Sequence, residues 1–148
     1  MPLLALWATP RTLSTAFSRM MIERGDHLVL DEPWSRAYYF GPERRSERFP
    51  LVFPESTYAA VEAGVLAAAA QGRVFIKDMA YQARPGITDD ALRAMSHTFL
   101  IRDPRAALPS FEAKWPDITD DEAGYASQRE LFERIRGLGC RPVVVDRA

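Results

Sequence analysis

Residues 3–15, Leu-Leu-Ala-Leu-Trp-Ala-Thr-Pro-Arg-Thr-Leu-Ser-Thr, join an apolar run to a polar turn and the start of a helix. Leu3–Ala8 has strand length and no polar alternation. A strand of that kind is covered on both faces, as in a parallel sheet. The turn around Thr9–Arg11 follows, and Thr12–Arg24 has helical character up to Gly25. A turn that leaves a strand and opens a helix is an anion cradle, because free backbone N–H groups and the positive end of the helix dipole meet there. The side chains it offers are one cation, Arg11, and the hydroxyls of Thr12, Ser14 and Thr15.

Working outward, the same alternation recurs. Further strands are expected at His27–Leu30, Arg73–Ile76, Thr98–Ile101 and Pro142–Val145. Helices are expected at Ser56–Gln71, at Thr88–Met95 with Thr88 as N-cap, and after Asp103-Pro104, which supplies an N-cap and a proline at the first helical position. Pro109 inside that last helix should bend it. Thr119 and Glu122 form a capping box for one long helix running to Arg136. The stripe Leu131, Phe132, Ile135 and Leu138 marks its core face. The segment 41–54, rich in proline and charge, reads as a loop or lid.

Short apolar strands separated by helices give an α/β three-layer α/β/α sandwich on a five-stranded parallel sheet. Ligands of such sheets bind at the carboxyl ends of the strands. Four strand ends carry polar groups: Thr9–Arg11, Asp31–Glu32, Lys77–Asp78 and Arg102–Asp103.

The 148 residues make a single domain, 1–148, and 47% hydrophobic content is ordinary for a globular chain. No apolar run reaches the roughly 20 residues that span a bilayer, and the net charge of −1 gives no general pull toward nucleic acid or an anionic membrane. The lone Cys140 favours a reducing compartment, so a cytoplasmic location is expected. The cations are arginines apart from Lys77 and Lys114. Arginine's planar fork suits phosphate and sulfate oxygens, although genome composition produces the same bias.

Against the pattern GxxxxGK[ST], the first turn lacks both glycines and has Ser14 at the lysine position, which argues against an ordinary P-loop kinase or ATPase. With its cation at Arg11, the turn instead resembles the 5′-phosphosulfate loop of sulfotransferases that use 3′-phosphoadenosine 5′-phosphosulfate (PAPS), in particular bacterial members. Leu13 stands where those usually have glycine. Ile101-Arg102-Asp103-Pro104-Arg105, with Ser110 eight residues after Arg102, resembles the same family's 3′-phosphate site, and Phe75-Ile76-Lys77-Asp78 its third strand.

The resemblance covers essentially the whole chain and implies a P-loop nucleoside triphosphate hydrolase-like fold. It implies PAPS as donor without a metal, and a small-molecule acceptor bearing a hydroxyl or amine. Arg11, Thr12, Ser14 and Thr15 would hold the phosphosulfate, and Arg102 and Ser110 the 3′-phosphate. Arg11, with Lys77 as a second candidate, would offset charge on the leaving phosphate. Many members place a histidine after the third strand, where this chain has Lys77-Asp78-Met79-Ala80. Other bacterial members resemble it in placing a glutamate after the second strand, which implies Glu32 as first candidate for general base, with Asp78 the second. His27 and His97 are read as structural.

Trp34, Tyr38, Tyr39 and Phe40 either line an acceptor pocket or pack a helix on the sheet, and Arg44, Arg45 and Arg48 read as a solvated charge run, with contact to an anionic partner as the alternative. Family members continue past the fifth strand with a closing segment. The chain is therefore expected to be incomplete at its C-terminus, with uncovered apolar surface that favours a homodimer. Two other readings stay open: a non-catalytic nucleotide-binding or interaction module of this fold, and a P-loop-related phosphotransferase.

Overall fold

Strand β1 (Leu3–Ala8) occupies the middle of the sheet, which explains why it is apolar along its length. In a computed structural model describing residues 2–147, it pairs in parallel with β3 (Val74–Met79) on one side and β4 (Ser96–Ile101) on the other. β2 (Leu28–Asp31) and β5 (Val143–Asp146) form the edges, giving the order β2-β3-β1-β4-β5, all parallel. The five expected strands are all present, β1 with its expected bounds and the others with bounds moved by up to three residues. The largest extension is β3, which carries Lys77 and Asp78 inside the ladder opposite Leu6 and Trp7.

Right-handed crossovers then dictate where the helices go. The step from β1 to β2 runs toward one edge, and every later step runs toward the other. Consequently α1 (Ser14–Arg24) covers one face alone, setting Met21 and Phe17 against Leu6, Phe75 and Leu100. The other face carries α2 (Tyr58–Gln71), α4 (Asp89–Arg93) and α7 (Tyr125–Gly137), which bury the main core around Trp7, Ile76, Phe99, Leu92, Leu131 and Ile135. Short helix α3 (Ala80–Ala83) follows β3, and α5 (Pro104–Glu112) follows β4 with Pro109 inside it. Asp103 caps α5 by accepting from Arg105 N at 2.8 Å.

Three expectations are corrected. The first helix begins at Ser14, not Thr12, because Arg11 and Leu13 take left-handed backbone (φ 64° and 65°) and Thr12 donates its hydroxyl back to Thr9 O at 2.8 Å. The single long helix from Thr119 is two. The capping box starts α6 (Asp120–Ala123) as expected, but Gly124 (φ 80°) ends it and α7 restarts beyond. Helix α2 starts at Tyr58 rather than Ser56, capped by the Thr57 side chain, which accepts from Ala60 N at 3.1 Å.

His97 lies inside β4 and is structural. Indole N–H groups only donate, so Trp7 Nε1–H gives its hydrogen to His97 Nδ1 at 3.0 Å. The ring proton must then sit on Nε2, which donates to Leu92 O at 2.9 Å. The Trp7 bond needs Nδ1 unprotonated and hence a neutral ring, and burial holds the imidazole below its usual range against the opposing pull of the Leu92 carbonyl.

Segment 41–54 has no helix or strand and is anchored at both ends. Arg45 N donates to Tyr38 O at 2.9 Å and Phe53 N to Phe40 O at 2.6 Å. Gly41 passes so close to Ser56 O that a Cβ there would stand 2.1 Å away.

Candidate functional site

The tips of β1, β2, β3 and β4 surround a cavity of about 650 Å³. It opens where the chain leaves β1 toward one edge and β3 toward the other, the switch point at which parallel α/β sheets hold ligands. Of the residues expected from sequence, Arg11, Ser14, Thr15, Glu32, Arg102 and Ser110 all line it. Thr12, Lys77 and Asp78 do not. Thr12 is fully buried and spends its hydroxyl on the turn. Asp78 is also fully buried, and its carboxylate accepts from Trp34 N at 2.9 Å and Met79 N at 2.7 Å. Burial and nearby Glu32 push its pKa well up, against those two amides and Lys77.

One pole of the cavity is cationic. Arg11 Nε donates to Ser110 Oγ at 2.9 Å, and Arg102 Nη1 donates to Arg11 O at 2.7 Å, so the β1–α1 turn and the β4–α5 junction touch directly. Arg102 Nε is buried with no protein partner. An orphaned guanidinium N–H beside Arg11 and Ser110 fits an anionic oxygen, which would complete its bonding. Arg19 on α1 and Lys114 beyond α5 add two more lining cations that the sequence reading did not single out. Arg19 lies on a helix and Lys114 in the turn after α5, and at both a surface charge carries no distinguishing signal.

The other pole holds carboxylate and aromatic groups. Glu32 has left-handed backbone (φ 51°) directly after β2, and its N–H donates to Lys77 O at 2.6 Å. Lys77, 1% exposed, donates its ammonium hydrogens to Glu32 Oε1 at 2.6 Å and reaches Asp31 Oδ1 at 2.9 Å. Burial opposes its charge, but these carboxylates outweigh that and hold its pKa above the usual lysine range. Gln82 on α3, lining the cavity, donates from Nε2 to Glu32 Oε2 at 3.3 Å.

From Gln82 a hydrogen-bonded chain runs away from Glu32. Gln82 Nε2 donates to Tyr81 Oη at 3.2 Å, the Tyr81 and Tyr39 hydroxyls are 2.8 Å apart, and Tyr39 Oη donates to Glu122 Oε1 at 3.3 Å. The ends fix the direction: an ionised carboxylate only accepts, so Tyr39 gives its proton to Glu122 and Tyr81 gives its own to Tyr39. Burial raises the pKa of both phenols, keeping those protons in place. Arg48 closes the chain from the loop. Its Nε and Nη2 fork onto Glu122 at 2.7 and 2.6 Å, its Nη1 donates to Asp117 Oδ1 at 2.8 Å, and its guanidinium lies 4.4 Å from the Trp115 ring centroid. Burial works against the Glu122 charge, and the Arg48 fork with the Thr119 amide more than reverses it, leaving the carboxyl below its ordinary range. Arg48 is therefore a clamp and no part of a solvated run.

The aromatic cluster divides. Tyr39 and Phe40 line the cavity with Phe49, Phe111, Trp115 and Met79. Trp34 is fully buried against Trp7, and Tyr38 bonds Asp121 through its hydroxyl. Within the π-helical turn Arg36–Phe40, Ala37, Tyr38 and Tyr39 are buried.

A parallel sheet with a cationic cleft at its strand tips defines the class, an α/β fold of the switch-point type. Comparison with known proteins names the family: the model of the sulfotransferase domain matches residues 1–148, and the chain belongs to the sulfotransferase family. It is 27% identical over 149 residues to branched-chain-amino-acid aminotransferase-like protein 2 of Arabidopsis thaliana, covering 99% of this chain and 26% of that protein. It is 23% identical over 148 residues to branched-chain-amino-acid aminotransferase-like protein 1 of the same plant, covering 95% and 26%. The chain thus spans about a quarter of the length of these curated relatives. No solved structure matches significantly. Among the described residues, no helix is long and apolar enough to cross a membrane.

Proposed function

We propose that the chain transfers a sulfuryl group from PAPS to a hydroxyl or amine of a small-molecule acceptor with an apolar or aromatic body. The observation that carries this reading is the convergence of Arg11, Arg102 and Ser110 on one cavity, with Arg102 Nε buried and unpaired. When bound, PAPS supplies a sulfuryl group attached to a phosphate that leaves with both bonding electrons. Arg11, with Ser14 and Thr15, holds the phosphosulfate end and offsets charge on the leaving oxygen. Arg102 and Ser110 hold the 3′-phosphate. A sulfuryl group carries less charge than a phosphoryl group, so these cations suffice without Mg²⁺.

Glu32 takes the acceptor proton. Lys77 and Gln82 each occupy one of its carboxylate oxygens, and each oxygen keeps a lone pair for that proton. Lys77 thus acts by orienting Glu32, and Asp78 by fixing the loop after β2 through Trp34 N. Tyr39, Phe40, Phe49, Phe111 and Trp115 supply the wall for the acceptor body and keep bulk water off the reacting group.

Calorimetric titration with 3′,5′-adenosine bisphosphate (PAP), with and without Mg²⁺, tests the reading. Micromolar binding independent of metal is expected. Metal-dependent preference for ATP would replace it with a phosphotransferase, and no nucleotide binding would leave a non-catalytic module.

A further inference from the structure

Gln82 is 2% exposed, lines the cavity, and has one polar atom unaccounted for: its carbonyl Oε1 is buried with no hydrogen-bond partner. The amide cannot be turned round to repair this. Its two N–H groups serve Glu32 and Tyr81, and the reversed orientation would set a carbonyl oxygen against the Glu32 carboxylate. Nor does the protein offer a donor from the tyrosines, because Tyr81 gives its proton to Tyr39 and Tyr39 gives its own to Glu122. The Arg48 fork pins that direction by keeping Glu122 an acceptor. A buried carbonyl left in this state costs about 1–3 kcal/mol unless something donates to it.

We infer that Gln82 Oε1 is an acceptor-recognition atom, and that the site selects acceptors carrying a second donor hydrogen beside the one Glu32 removes. This rests on the sulfuryl-transfer reading above. In that reading the sulfuryl end of PAPS faces Glu32 and Gln82, with the ribose hydroxyl and adenine amine directed away toward Arg102. Sulfuryl oxygens have no hydrogen to give, so the donor comes from the acceptor. A lone hydroxyl has one hydrogen, and Glu32 takes it. The remaining bond to Gln82 requires a neighbouring hydroxyl or a second N–H. Amide geometry sets Oε1 about 2.2 Å from Nε2, so Oε1 lies within ~5.5 Å of Glu32 Oε2. One amine nitrogen, or two oxygens on adjacent carbons, can serve both atoms across that span. The substrate class is therefore a vicinal diol or a primary amine on an apolar body.

The test uses ligands with one phenyl body: 2-phenylethanol, 1-phenylethane-1,2-diol and 2-phenylethylamine. Their dissociation constants would be measured by ligand-observed NMR on the intact chain saturated with PAP. The diol, the amine or both should bind about tenfold more tightly than the mono-alcohol, the worth of one hydrogen bond to a buried neutral group. The arm that gains identifies which donor the site takes. Gln82→Met, which keeps length and loses the carbonyl, should bring the ratio close to one. Equal binding of all three by the unsubstituted chain overturns the inference while PAP binding preserves the nucleotide reading, and this arm does not depend on the variant folding. A preference that survives Gln82→Met also overturns it. Absence of PAP binding removes both.

Discussion

The two poles of the cavity are built on opposite plans. At the cationic pole, Arg11 is exposed, Arg102 keeps an N–H that is unpaired among the described residues, and the two arginines are tied by Arg11 to Ser110 and Arg102 to Arg11 O. At the other pole Lys77, Glu32, Gln82, Tyr81, Tyr39, Glu122 and Arg48 are joined in one chain of hydrogen bonds and ion pairs. On the proposed function, the first pole leaves donors unsatisfied for an anion, whereas the second spends its donors in advance on orienting Glu32. Stability should therefore concentrate in the second and ligand affinity in the first.

The largest expected effect tests the networked pole. Arg48→Met leaves Glu122, 1% exposed, as a buried charge without its partner. A loss of about 3–5 kcal/mol in unfolding free energy is expected by urea denaturation. Arg48→Lys should recover little, since an ammonium cannot fork onto a carboxylate. A loss under about 1 kcal/mol would break the contrast between the poles. Next, Arg102→Ala should weaken PAP binding about thirtyfold, the worth of a charge-assisted hydrogen bond, with little change in the denaturation midpoint. Equal damage to folding and binding would show that the cationic pole is structural as well.

A smaller effect sharpens the picture. Leu13 is 52% exposed and holds left-handed backbone at φ 65°, which costs a branched side chain about 1 kcal/mol. Leu13→Gly should raise stability by at most that amount, since glycine also loses more entropy on folding. Unchanged or lower stability in a melting curve would mean the turn is not strained. The smallest effect is a slope. His97 has its folded pKa lowered, so its contribution is complete above the unfolded value near 6.5 and declines as pH falls through the folded one. The melting temperature should drop with pH across that window, and His97→Gln should flatten the drop.

What the sequence conveyed was mostly what neighbours in the chain decide. Strand β1 was readable because a central parallel strand is apolar without interruption, and the Thr119–Glu122 box because its two halves are three residues apart. The convergence of Arg11, Glu32, Arg102 and Ser110 followed from strand ends sharing one side of a parallel sheet. The Arg48–Glu122 clamp was hidden, since the partners are 74 residues apart and a charged loop looks the same whether it is solvated or pinned. Gln82 was equally silent: an isolated amide after a strand carries no local pattern. The break at Gly124 had a visible sign, the glycine itself, but the hydrophobic stripe of residues 131–138 favoured one continuous helix.

Placing β1 between β3 and β4 also has a consequence for biosynthesis. Strand β1 is made before either of its sheet neighbours: the first, residues 74–79, follows after a long interval, and the second comes some twenty residues later. For that interval a nearly uniform apolar hexapeptide waits without a ladder, so collapse should be slow and governed by distant contacts. The cleft, whose Arg11 and Arg102 sit 91 positions apart, can close only after that wait is over.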